Sequence, residues 1–173
     1  MSSGRRQCDA QRGFTILELL VVLLIIGIVV SLATLSVGGN ETRVLRDEAQ
    51  RLSALLELAA QDAILNAREL ALEVDEEAYR FVQYNVEDET WQTLADDVFR
   101  PRELPPGIEL NAVVEGQQPE AGKFGETEAT RIFILSSGEM TPFTLTLKRV
   151  DGPSYELAGD MLGGLILEGP RES

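Results

Sequence analysis

Apolar and polar positions divide the chain into three textures. From Phe14 to Val37 the residues are apolar or small, and Glu18 is the single charge in the run. At about 1.5 Å of rise per residue, a helix of that run reaches across the roughly 30 Å hydrocarbon core of a bilayer. Further on, Leu45, Ala49, Leu52, Leu56, Ala59 and Ala63 recur at steps of three and four. Arg46, Asp47, Arg51, Glu57 and Asp62 stand between them. This period predicts a helix with one apolar face, running to about Ala67. Gly38-Gly39-Asn40 separates the two patterns and is expected to be a kink, with Asn40 capping a new helical stretch.

After Arg68 the texture is that of β-strands. Tyr79–Tyr84 is rich in aromatics, Ile108–Val114 and Phe143–Lys148 alternate, and Ile132–Leu135 is a continuous apolar run suited to a buried strand. Shorter candidates are Leu70–Val74, Thr90–Leu94, Tyr155–Ala158 and Gly164–Leu167. Turn residues separate them at Asn85–Glu89, Pro105-Pro106-Gly107, Ser137-Gly138-Glu139 and Asp151-Gly152-Pro153. The stretch 115–130 has little apolar content and is expected to be a mobile loop. The pattern as a whole predicts an α+β fold. A long N-terminal helix, part membrane and part amphipathic, packs on an antiparallel two-sheet β domain.

Composition narrows the chemistry. The 173 residues contain no histidine and one cysteine, Cys8. Ser-His, Cys-His and His-metal chemistry are therefore excluded. No spacing of acids singles out a carboxylate pair, so no catalytic residue, cofactor or metal is expected, and the chain is read as a non-enzyme. The acid clusters Asp75-Glu76-Glu77, Glu87-Asp88-Glu89 and Asp96-Asp97 lack the alternating spacing and glycine of a calcium loop. The net charge of −14 argues against nucleic acid as a partner.

Charge is also distributed unevenly. Arg5, Arg6 and Arg12 precede the apolar run, and this bias puts the leader in the cytoplasm and the body across the membrane. A secretory signal cleaved at Ser31-Leu32-Ala33 is the competing reading. Glu18 and the continuation of the run through Thr34, Leu35 and Val37 count against it. A carboxylate at membrane depth costs about 2.5–3.5 kcal/mol at the helix centre, so Glu18 reads as functional.

Arg12-Gly13-Phe14-Thr15-Ile16-Leu17-Glu18-Leu19-Leu20 resembles the class III signal of type IV pilins and type II secretion pseudopilins. The order Ile16-Leu17 inverts the common Leu-Ile, and Leu35 stands where many major pilins carry proline. The resemblance implies a leader, 1–13, cut by a prepilin peptidase between Gly13 and Phe14, and N-methylation of Phe14. Residues 14–37 then become the membrane and assembly helix, 38–68 its amphipathic continuation, and 69–173 a periplasmic β domain. Glu18 would be the assembly residue, its carboxylate meeting the new N-terminal ammonium of a neighbouring subunit.

Two more stretches are similar to the minor pseudopilin H family: Gln61–Leu72 at the helix exit, and Ile134–Phe143 with its Ser-Gly-Glu turn leading to Pro142-Phe143. That resemblance implies a structural tip subunit of the type II secretion pseudopilus, helping to export folded proteins across the outer membrane. Its implied partners are the major pseudopilin, the other minor pseudopilins, the prepilin peptidase and the inner-membrane secretion platform. Its implied location is the inner membrane, single-pass, with the C-terminal domain in the periplasm. The alternatives are a minor type IV pilus subunit for adhesion or pilus priming, and a DNA-uptake minor pilin. The acidic body opposes the last.

Overall fold

The computed structural model describes residues 16–94, 96–116, 130–150 and 152–171, with the side chains of 30–41 also outside the description. The expected leader, 1–13, with Phe14 and most of the expected loop (117–129), lies outside the described residues. The chain divides into two compact units, Met1–Asn40 and Glu41–Ser173.

In the first unit the described residues form the beginning of helix α1, Ile16–Asn66. Every side chain from Ile16 to Val29 is exposed. Among the described residues no helix is long and apolar enough to cross a membrane. The expected span, 14–37, includes positions outside that description. Helix α1 is continuous through Gly38-Gly39-Asn40, so Asn40 starts no new helix. Helical hydrogen bonds are made by the backbone. A glycine pair therefore weakens a helix by about 1 kcal/mol per residue without having to end it.

The second unit holds the core. Leu45, Ala49, Leu52, Leu56, Ala59 and Ala63 of α1 are all fully buried, so the periodic face is the packed face. They join one apolar cluster with residues from two antiparallel sheets. The first sheet has the order β3-β2-β1-β6. Its strands are β1 (Leu70–Val74), β2 (Ala78–Asn85), β3 (Thr90–Thr93) and β6 (Thr130–Ile134), and the short β4 (Arg102–Glu103) pairs with β2. The second sheet has the order β5-β7-β8-β9. It comprises β5 (Ile108–Val114), β7 (Phe143–Arg149), β8 (Ser154–Gly159) and β9 (Leu165–Arg171). Strand β4 has no apolar alternation to announce it, and β9 extends past the expected Leu167 to Arg171.

Strand β6 differs from the buried run expected at Ile132–Leu135. Ile132 and Ile134 are buried in the core, Phe133 is half-buried on the opposite face, and Leu135 is exposed after the strand ends. The two-residue period of a strand sends Phe133 away from the core, where Trp91 meets it at 5.6 Å between ring centroids.

Candidate assembly surfaces

Glu18 lies in the first turn of α1, where a negative charge is favoured by the helix dipole. It is exposed, as are Ile16, Leu17, Leu19 and Leu20 around it. At Gly27 a side chain would meet nothing within 4 Å, so this part of the helix has an open, small-residue position on its surface. Ser31, four residues on, has its side chain outside the description. Gly13 and Phe14, where cleavage and methylation are expected, lie outside it altogether.

The other end of α1 is anchored rather than open. Arg68 N–H donates to the Ala63 carbonyl at 3.1 Å and Ala67 N–H to that of Ile64 at 3.4 Å, closing the helix with a Schellman-type cap. Ala67 takes the left-handed conformation this cap needs, with φ of 49°. Side chains then tie the exit to the first sheet. Asp62 accepts from Asn66 Nδ2 at 2.7 Å and from Arg68 Nε at 2.6 Å, and Arg68 Nη1 donates to Gln83 Oε1 at 2.8 Å. This is the region whose sequence resembled the pseudopilin H family.

Two buried carboxylates were not anticipated. Glu48 sits on the packed face of α1, where it accepts from the Tyr79 hydroxyl at 2.8 Å and pairs with Arg51. Burial, then the charge of Glu48 and its hydrogen bond, hold the Tyr79 phenol well above its usual range, against the opposing pull of Arg102 and Arg51. The signal was available: Glu48 falls three residues after Leu45 and four before Leu52, on the apolar stripe. Its partner, 31 residues away, was not visible in the sequence.

Glu73, 1% exposed, is the second. It stands on β1 directly between Arg80 of β2 and Arg131 of β6, its Cα partners on either side. Arg80 Nε donates to one oxygen and Arg131 Nε to the other, each at 2.7 Å. Both faces of β1 are consequently covered, since Leu70, Leu72 and Val74 join the core and Ala71 and Glu73 are buried on the other side. Trp91 helps close that other side. It lies 5.3 Å from the Tyr84 ring and 5.6 Å from that of Phe133, with Arg131 6.0 Å from its centroid.

These polar groups are tied into the body by paired interactions. Each buried carboxylate has both charge and hydrogen-bond partners. Among the described residues no group of three or more acids, cysteines or histidines is placed to hold a metal. An open polar groove of about 730 Å³ lies at the helix exit, with Arg68, Glu69, Gln83 and Tyr84 along it.

The late hairpin also takes shape here. Leu135 N–H donates to the Glu139 carbonyl at 2.9 Å, and Ser136 fastens the turn to Glu69 through its N–H at 3.2 Å and its hydroxyl at 2.7 Å. Gly138 takes a φ of 89°, the freedom the turn requires. Pro142 follows at the entrance to β7, where its ring need not donate to the ladder.

Residues 8–34 match the family model of the prokaryotic N-terminal methylation motif, and residues 48–163 match that of the type II transport protein GspH. The chain is 37% identical over 161 residues to the type II secretion system protein H of Pseudomonas aeruginosa, covering 87% of this chain and 92% of that protein. It is 31% identical over 151 residues to the protein H of Aeromonas hydrophila, covering 82% of each. The solved structure of the minor pseudopilin EpsH from the type 2 secretion system of Vibrio cholerae aligns with a TM-score of 0.62 at 26% identity, covering 75% of this chain and 99% of that one. With its helix and two antiparallel sheets in that arrangement, and the GspH model spanning most of its length, the chain belongs to the type II transport protein GspH family, the H-type pseudopilins of type II secretion.

Proposed function

We propose that this chain is a minor pseudopilin near the tip of the type II secretion pseudopilus, a structural subunit that helps export folded proteins across the outer membrane. The observation carrying this reading is one helix with two surfaces. Its first part shows only exposed apolar side chains and Glu18, while its second part is sealed into a closed body. Apolar surface left exposed in the monomer is stabilised by a bilayer or by like helices.

In the proposed sequence of events the chain inserts with its leader, 1–13, in the cytoplasm and its body in the periplasm. It is anchored in the inner membrane by 14–37, followed by the amphipathic continuation, 38–68, and the β domain, 69–173. The prepilin peptidase cuts between Gly13 and Phe14 and methylates Phe14. In the filament Glu18 meets the N-terminal ammonium of an adjacent subunit. Each group is thereby relieved of part of its desolvation cost, and the axial register is set. The inner-membrane platform then moves the chain from bilayer to filament, with the major pseudopilin and other minor pseudopilins as neighbours.

Two experiments test this. Intact mass should show loss of 1–13 and gain of one methyl group on co-expression with the peptidase; an unchanged mass removes the basis of the reading. Glu18→Ala should still insert but fail to enter filaments, and normal co-assembly would refute the pairing.

A further inference from the structure

Three segments distant in sequence meet at the C-terminal end of α1 and leave apolar side chains exposed there. The first is the last helical turn, with Ile64 and Leu65 exposed, Leu65 at 81%. The second is the turn 135–139, beginning at exposed Leu135. The third is the β8–β9 turn, with Met161 exposed and Leu162 at 86%. Their contiguity is shown by close approaches. A side-chain carbon on Gly138 would lie 3.1 Å from Ile64 Cδ1, and one on Gly163 would lie 3.0 Å from the Gly138 carbonyl oxygen. Met140 N–H donates to the Met161 carbonyl at 3.1 Å.

The β8–β9 turn is held in shape while its apolar residues point out. Asp160 Oδ1 accepts from Leu162 N–H at 2.9 Å and from Gly164 N–H at 2.8 Å, and Asp160 N–H donates to the Gly164 carbonyl at 3.0 Å. A turn ordered by its own hydrogen bonds loses little freedom when its tip is buried by a partner. Elsewhere this turn could carry polar residues at no cost, so two large apolar side chains at its tip call for an interaction.

Charge selects the partner. Asp62, Glu69, Glu139 and Asp160 stand at the margins of the patch. Among the described residues Arg68 is a cation beside them, and it is already engaged with Asp62 and Gln83. A second copy of a chain of net charge −14 would set acid against acid, and an anionic lipid surface would do the same. We infer that Ile64, Leu65, Met161 and Leu162 form a docking surface for another pilin-like subunit, whose complementary face is apolar with a basic rim. The identity of the partner as a pilin-like subunit rests on the function proposed above.

The test uses the full chain in a strain whose own secretion can be measured. A photo-crosslinking residue replaces Leu162 or Leu65, and Val86, exposed on the β2–β3 turn, serves as the control site. Cross-links from 162 and 65, but not from 86, to a different pilin-like subunit are expected, and Glu139→Lys should lower their yield several-fold. The double variant Leu65→Glu/Leu162→Glu should cut secretion by about tenfold or more, as expected when apolar anchors are lost. Val86→Glu should not. Cross-links to a second copy, to phospholipid, or to residues 117–129 of the same chain would overturn the surface, as would a yield indifferent to Glu139→Lys. Deletion of the chain separates the two claims. If deletion abolishes secretion while the double variant secretes normally, the docking surface falls and the pseudopilin role stands. If deletion leaves secretion intact, the role itself falls.

Discussion

The two parts of α1 share a backbone conformation and differ in what surrounds them. From Leu45 to Ala63 an apolar side chain every three or four residues is fully enclosed by two sheets of the same chain. From Ile16 to Val29 the residues are more apolar, yet every side chain is exposed. Hydrophobicity alone therefore does not say where a segment is buried. The amphipathic part has a polar face that tolerates water and a single face for the core. The uniform part has no polar face to give to water, so any complement must surround it. One stretch is completed within the chain, and the other stays exposed among the described residues.

Breaking this contrast starts with paired truncations. Leu52→Ala should destabilise the body by about 3–5 kcal/mol, because a fully enclosed leucine leaves a cavity as well as losing its transfer energy. Leu24→Ala, on the exposed part, should leave unfolding of the body unchanged. Denaturant unfolding of the full chain in detergent distinguishes them, and equal effects would mean that the first part of α1 contributes to the body's stability.

Next in size is Glu73→Ala, which removes the buried carboxylate that both Arg80 and Arg131 bond. Their guanidiniums are about one-fifth exposed, so water offsets part of the loss, and a destabilisation of about 2–3 kcal/mol is expected. The same unfolding measurement checks it, and a change below about 0.5 kcal/mol would mean that the two ion pairs add nothing net to stability.

Tyr79→Phe should cost less, about 1–2 kcal/mol, by leaving Glu48 short of one donor. It also carries a signature in pH. The phenol is held above its ordinary value of 10.0 in the folded chain, so folding favours the protonated form. That stability is intact below the unfolded value and is lost as pH rises beyond it toward the folded one. Melting temperature should therefore fall above about pH 10 in the native chain and fall less steeply in Tyr79→Phe. Parallel slopes would contradict the assignment.

The smallest effect has the opposite sign. Ala67→Gly relieves a left-handed alanine at the helix cap and should stabilise the body by up to about 1 kcal/mol, after the entropy that glycine adds to the unfolded chain is deducted. A loss of stability would mean that the alanine methyl makes a contact outweighing its backbone strain.

Particular residues show how far the fold was legible. The buried face of α1 was readable because its period is local and its six apolar positions face one way. Strands β1, β2, β5, β7 and β8 were readable for the same reason, each with its own alternation or apolar run. Strand β4 was not, because two residues carry no period and its pairing with β2 is settled only in the tertiary structure. Glu73 looked like one more acid in an acidic chain. Only the register that places Arg80 and Arg131 on either side makes it part of the interior.

The sequence by itself determined the class of fold, the uniform apolar run with its solitary Glu18, and the absence of histidine. Those are properties of local pattern and composition, and no folding is needed to read them. Tertiary structure alone decided which charges are buried, which strands are neighbours, and that Ile64, Leu65, Met161 and Leu162 share one surface. Each of those depends on residues tens to a hundred positions apart, brought together by antiparallel pairing and a common core. Sequence distance carries no trace of that proximity, because the contacts are settled by the packing of whole elements rather than by the residues that meet.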